Sequence, residues 1–88
     1  MFHVRMTDRF LSGWGAAAGA RNVLVVSCST AEEAEAIRLA ALDRREMTRV
    51  RVCSSPPRER AGVVLSRRSF DEMRGPWRAY FRGERTSP

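Results

Sequence analysis

The chain holds few residue types that could perform nucleophilic or acid–base chemistry. It has one histidine, His3, and two cysteines, Cys28 and Cys53. A thiol or hydroxyl nucleophile would need His3 as its base, because the chain has no other imidazole. We expect His3 to lie on an exposed face at the start of a strand, which is a poor place for a positioned base. The residue types therefore predict a protein that is not an enzyme, with no catalytic residues.

Metal and cofactor sites have equally little support in the sequence. No Cys-x-x-Cys pair and no second histidine completes a set of zinc ligands, so we predict two free thiols. If Cys28 and Cys53 end neighbouring strands, they come close in space. The glycine-rich segment 13–19 superficially resembles a dinucleotide-binding turn, but a strand rather than a helix follows it. We predict no metal and no cofactor.

Hydropathy patterning predicts strands and one long helix. Apolar residues alternate over 2–7, and a continuous apolar run over 22–28 is typical of a central strand that is buried on both faces. The segment Ser29-Thr30-Ala31-Glu32-Glu33 fits a capping box, which predicts a helix from about Ala31 to Arg45. Leu39 and Leu42 should widen the apolar face of that helix. Its cluster of glutamates is explained by capping and by the positive first turn.

The rest of the chain predicts a small α+β domain. Two further strands are predicted over 48–53 and 62–66, with Val50 and Val52 facing inward and Arg49 and Arg51 outward. A short helix should start at Ser69, where Ser69 and Glu72 repeat the capping-box spacing. Together these elements predict a sheet of three or four strands, covered on one face by the long helix and the short C-terminal helix. The first strand should lie beside or between the strands that flank the long helix.

We predict one domain over 1–82 and a flexible tail over 83–88. Large apolar residues should anchor the long loop over 8–21 and a turn or helix over 77–81 in the core: Phe10, Leu11, Trp14, Trp77, Tyr80 and Phe81.

Charge is the strongest functional signal in this sequence. All sixteen basic residues are arginines, and the net charge is +6. Residues 47–88 alone hold ten arginines against four acidic residues. A chain without lysine is typical of an arginine-favouring genome, but the uneven distribution still predicts a basic face for a negatively charged partner. The predicted partner-binding residues are Arg5, Arg49, Arg51, Arg67, Arg68, Arg74 and Arg78, and further arginines of the same basic half are Arg58, Arg60 and Arg82.

The sequence predicts a cytoplasmic protein. Its longest strongly apolar run, residues 23–26, is far shorter than the ~18–20 apolar residues of a membrane-spanning helix. No apolar secretory region follows the first residues. We therefore expect a cytoplasmic location and no membrane partner. We also expect a monomer.

The first residues of the chain resemble those of known small proteins. Residues 4–15, Val-Arg-Met-Thr-Asp-Arg-Phe-Leu-Ser-Gly-Trp-Gly, resemble the start of a family of small proteins carried by phages, prophages and integrative elements. The resemblance continues through the apolar strand and the helix and covers about residues 4–53. A small protein of this kind is similar in size and style to anti-CRISPR inhibitors, in particular those directed against type I-C Cascade.

The resemblance implies a role rather than a set of residues. It implies a non-enzymatic inhibitor that binds a Cas subunit of type I-C Cascade and blocks the binding of target DNA. The residues leave an alternative open, namely a basic nucleic-acid-binding accessory protein of a phage. A continuous arginine-lined groove would favour nucleic acid, whereas scattered arginines paired with acidic residues would favour a protein partner.

Overall fold

The structure is a computed structural model that describes residues 1–9, 12–13 and 18–73. The described residues form an α+β fold, as the sequence predicts. The elements in chain order are β1 (Phe2–Asp8), β2 (Arg21–Cys28), α1 (Ala31–Leu42), β3 (Met47–Cys53), β4 (Val63–Ser69) and α2 (Phe70–Met73). The proposed tail and the anchors Phe10, Leu11, Trp14, Trp77, Tyr80 and Phe81 lie outside the described residues.

The four strands form one mixed sheet in the order β3-β1-β2-β4. Strand β1 is antiparallel to both of its neighbours, β2 and β3. The two strands that flank α1 are therefore parallel to each other, with β1 between them. Strand β4 adds to the other side of β2 in parallel orientation. In this sheet β3 and β4 are the edge strands.

The core lies between the sheet and α1. Helix α1 packs across β3, β1 and β2. On this side, the α1 face of the sheet, Val4 pairs with Val26 and Met6 with Leu24, and all four side chains are fully buried. The opposite side, the far face, carries the alternate residues of β1 and β2. Val23 and Val25 on that face are also buried, which confirms that β2 is covered on both faces.

Helix α1 begins at the predicted cap. The backbone N–H of Glu33 donates to Oγ1 of Thr30, and the Glu33 carboxylate accepts from the backbone N–H of Ser29. The helix ends at Leu42, three residues before the predicted end at Arg45, and Asp43 caps it. Leu39 and Leu42 are 54% and 57% exposed, so the prediction that they widen the buried face is wrong. The buried face consists of Ala34, Ile37 and Ala41, and a period of 3.6 residues turns Leu39 away from it.

A β-bulge interrupts the alternation of β3. The pairing of β1 with β3 shifts register between Arg5 and Thr7, so two residues of β3, Arg49 and Val50, oppose Met6 alone. Arg49 has φ of +55°, in the left-handed region where such bulges normally place glycine. Val50 packs on the core as predicted, but Val52 is 41% exposed at the sheet edge. Arg49 therefore leaves the regular outward row that the sequence predicts, and Arg51 stays in it.

Replacing Arg49 with glycine should stabilise the fold. Left-handed backbone costs a non-glycine residue about 1–2 kcal/mol, and the extra freedom of glycine in the unfolded chain offsets roughly 0.4–1 kcal/mol of the gain. We expect Arg49→Gly to raise the free energy of unfolding by about 0.5–1 kcal/mol in urea denaturation. Arg49→Ala, which keeps a Cβ in the same left-handed backbone, should leave it nearly unchanged. A loss of stability in Arg49→Gly would contradict this account of the bulge.

Hydrogen bonds connect the described residues of the loop over 9–20 to the two central strands, β1 and β2. The Ser12 hydroxyl donates to the backbone oxygen of Asp8 (2.7 Å) and accepts from the backbone N–H of Asn22 (2.9 Å). Gly13, with φ of +85°, donates its N–H to the backbone oxygen of Ala20. The Asp-x-x-x-Ser-Gly spacing at residues 8–13 thus closes the β1–β2 connection.

Candidate anion-binding pocket

The segment that joins β3 to β4 builds a pocket on the far face of the sheet. These two strands lie at opposite edges, so residues 54–62 must cross the sheet. The crossing lies on the far face, where the Arg67 guanidinium on β4 donates to the backbone oxygen of Pro57 (3.2 Å). Between the crossing segment and the strands lies a pocket of about 190 Å³. We call it the arginine pocket.

Four arginines line the arginine pocket. Arg5 and Arg51 come from the sheet, where they are directly opposite each other on β1 and β3. Arg58 and Arg60 come from the crossing segment and line the other wall. No acidic residue is among the described residues that line the pocket. Like charges placed directly opposite across strands are destabilising, so this arrangement costs stability when no anion is bound.

The lowered pKa of Arg5 reflects this cost. Partial burial lowers the pKa of the Arg5 guanidinium, and the positive charges of Arg51 and Arg60 lower it further. A guanidinium nevertheless stays protonated, so the charge cannot be lost by titration. A bound anion would relieve both the repulsion and the lost hydration. The pocket therefore has the electrostatics of an anion site.

The four guanidinium groups are not engaged by other described residues. The ion pairs found in the described part of the chain use different arginines, Arg38 with Glu35 and Arg44 with Glu46. Within residues 1–9, 12–13 and 18–73, the guanidinium groups of the pocket arginines form no hydrogen bond or ion pair. Their donor groups are thus free to meet a ligand from outside this part of the chain.

The structure separates the predicted binding residues. It brings Arg5 and Arg51 together in the pocket. Arg49 is exposed at the bulge and does not line the pocket, and Arg67 tethers the crossing segment. Arg68 pairs with Val26, which places it on the α1 face. Arg74 and Arg78 lie outside the described residues.

Two pocket arginines were recognised in the sequence only as part of the basic half. Arg58 and Arg60 follow the Pro56-Pro57 pair, which the sequence marks as an irregular linker. The missing information is tertiary, because only the strand order shows that this linker must cross a sheet face. The apolar members of the lining, Val63 and Leu65 on β4, could not be assigned for the same reason.

The cysteines lie on different faces of the sheet. The prediction that they come close together is wrong, because β1 separates the two strands that carry them. Cys28 belongs to the buried core on the α1 face, whereas Cys53 lines the arginine pocket. Both are free thiols, as predicted.

The expectation that His3 is exposed is also wrong. His3 is only 9% exposed, because β1 is an interior strand with a neighbour on each side. It lies opposite Ser27 and Cys53, and its Nδ1 is 3.4 Å from the Ser27 hydroxyl oxygen. Among the described residues, no carboxylate is a hydrogen-bond partner of the His3 imidazole. In the described ranges, no group of three or more histidine, cysteine and acidic side chains could hold a metal ion.

The two thiols should differ in reactivity. Burial, and then the negative charge of Glu33, raise the pKa of the Cys28 thiol, so less of it is thiolate at a given pH. With an anionic aromatic disulfide reagent at about pH 8, we expect one rapid equivalent from Cys53. Cys28 should react only after unfolding. Cys53→Ser should abolish the rapid phase, and a rapid phase that persists in this variant would contradict the assignment.

No helix in the described part of the chain has the length and apolarity needed to cross a membrane. Searches of family models, of curated proteins and of solved structures each find no match to this chain.

Proposed function

We propose that the chain binds nucleic acid through its phosphate backbone and catalyses no reaction. The observation that supports this proposal is the convergence of four arginines on one pocket that no described acidic residue lines. Guanidinium groups bind phosphate oxygens through paired hydrogen bonds, and they keep their charge at every physiological pH. A net charge of +6 adds attraction at longer range.

The arrangement of the arginines favours nucleic acid over an acidic protein. Scattered arginines paired with acidic residues would favour a protein partner. Here the pocket arginines come from two strands and the crossing segment and have no described partners. Pro57, Val63 and Leu65 add apolar surface beside the charges, which suits the sugar of a nucleotide. We place this activity in the cytoplasm of a bacterial host, in a protein carried by a mobile element.

The proposal is tested by fluorescence anisotropy with labelled single-stranded and duplex oligonucleotides. We expect binding at about 50 mM salt that weakens steeply as salt rises, with a logarithmic slope of about 0.9 per duplex phosphate contacted. A polyglutamate chain of matched charge serves as the control polyanion and should compete poorly. Absence of binding to both nucleic acids at low salt would overturn the proposal.

A second candidate is the protein inhibitor that the resemblance implies. One observation favours it: Leu39 and Leu42 on α1 and Val52 on β3 are exposed aliphatic side chains on the α1 side of the sheet. Such side chains can contribute to a protein interface. In this proposal the α1 side binds a Cas subunit of type I-C Cascade and prevents the complex from binding target DNA.

Purified type I-C Cascade tests the second candidate. We expect co-purification with the chain and reduced binding of target DNA, and Leu39→Glu should weaken both effects while leaving direct nucleic-acid binding unchanged. Undiminished DNA binding by Cascade at excess protein would exclude the inhibitor.

A further inference from the structure

We propose that the arginine pocket receives a terminal phosphate group, such as the 5′-phosphate of a strand, rather than an internal phosphodiester. This inference rests on the proposed function and names the part of the nucleic acid that enters the pocket. A strand end and a free nucleotide share this chemistry. We favour the strand end, and the experiment distinguishes the two.

Charge matching is the first reason. Arg5, Arg51, Arg58 and Arg60 bring four positive charges to one pocket without a described acidic residue. An internal phosphodiester carries a single negative charge, whereas a phosphate monoester carries about −1.5 to −2 at neutral pH. A terminal group therefore neutralises more of the repulsion between the opposed guanidiniums of Arg5 and Arg51.

The geometry of the walls is the second reason. The sheet supplies Arg5 and Arg51, and the crossing segment supplies Arg58 and Arg60, so donors approach from two sides. A terminal phosphate presents three free oxygens to such donors. An internal phosphodiester has only two, and its chain must leave in both directions. A half-open pocket with arginines on both walls fits an end group, whose chain leaves through the open side, better than an internal phosphodiester.

The size of the pocket is the third reason. Its volume of about 190 Å³ is below the roughly 300–1,000 Å³ typical of pockets that enclose a whole small molecule. This volume matches a phosphate headgroup, with the rest of the nucleotide outside the pocket. Pro57, Val63 and Leu65 lie beside the charges, where the sugar that carries the phosphate would rest. The base and the remaining strand would then extend over the surface.

The decisive experiment compares one single-stranded oligonucleotide with a 5′-phosphate or a 5′-hydroxyl, labelled at its 3′ end. At about 150 mM salt we expect the unmodified protein to bind the phosphorylated strand at least about tenfold more tightly, equivalent to about 1.4 kcal/mol. Arg58→Gln should remove this preference. Arg45→Gln, in an exposed turn outside the pocket, should retain it.

Thermal-shift and competition measurements distinguish a strand end from a free nucleotide. Inorganic pyrophosphate and a nucleoside triphosphate should each raise the melting temperature of the protein and compete with the phosphorylated strand. A rise in melting temperature without any preference for the phosphorylated strand would support the terminal phosphate and assign its source to free nucleotides. Salt-dependent binding of both strands with equal affinity, and no thermal shift, would overturn this inference and leave the proposed function standing. No binding of either strand at low salt would overturn the proposed function itself.

Discussion

Arg5→Glu should lower the affinity for nucleic acid about 100-fold, the largest effect of any single pocket substitution. Arg5 lies between Arg51 on the neighbouring strand and the arginines of the crossing segment. The substitution removes charge-assisted hydrogen bonds, each worth about 1.5–3 kcal/mol, and adds a negative charge that repels phosphate. Anisotropy titrations at fixed salt measure the loss. The salt dependence should also become shallower by roughly the contribution of one phosphate contact.

Arg5→Glu should leave the fold intact, which separates binding from stability. Glutamate at position 5 would face Arg51, so a repulsive pair becomes an attractive cross-strand pair worth about 0.2–1 kcal/mol. The midpoint of urea denaturation should stay the same or rise. Arg45→Glu is the matched control, because it changes the net charge equally in an exposed position outside the pocket. Equal losses of affinity in the two variants would show that net charge, and not the pocket, governs binding.

Leu24→Ala should lower the free energy of unfolding by a larger amount than any substitution at the arginines changes it. Leu24 is fully buried on β2, where it pairs with Met6 beneath α1. Truncation of a buried leucine costs about 3–5 kcal/mol through lost burial and the cavity that remains. A domain of this size has a total stability of roughly 5–15 kcal/mol, so the variant should unfold at a much lower urea concentration with an unchanged slope.

The control for Leu24→Ala is the same change at Leu39. Because Leu39 is 54% exposed, Leu39→Ala should cost less than about 1 kcal/mol. If Leu24→Ala does not fold, Leu24→Met tests the same site, since a change that conserves volume should cost less than about 1.5 kcal/mol. Similar losses at positions 24 and 39 would contradict the described core.

Local signals in the sequence predicted the elements well. The cap of α1 at Thr30 and the capping box of α2 at Ser69 and Glu72 form as their spacing predicts. Continuous apolar character predicted the central strand β2, and alternation predicted β1. These features depend on neighbours within a few residues, which is why a single sequence reveals them.

Features that depend on distant parts of the chain were predicted poorly. The bulge at Arg49 changes the phase of β3, and an arginine in place of the usual glycine hides it. The exposure of Leu39 depends on where the sheet meets α1. The wall formed by Arg58 and Arg60 exists only because β3 and β4 lie at opposite edges. The sequence therefore revealed that a basic surface exists but not which arginines share a pocket.

The arginine pocket joins distant stretches of the sequence, since Arg5 lies on β1 and its other arginines lie on β3 and the segment after it. An anion held between them acts as a reversible cross-link from the start of the chain to its second half. Such a link stabilises only the folded state, by an amount that grows with ligand concentration. The resistance of residues 54–62 to proteases should therefore report how much ligand the cell contains.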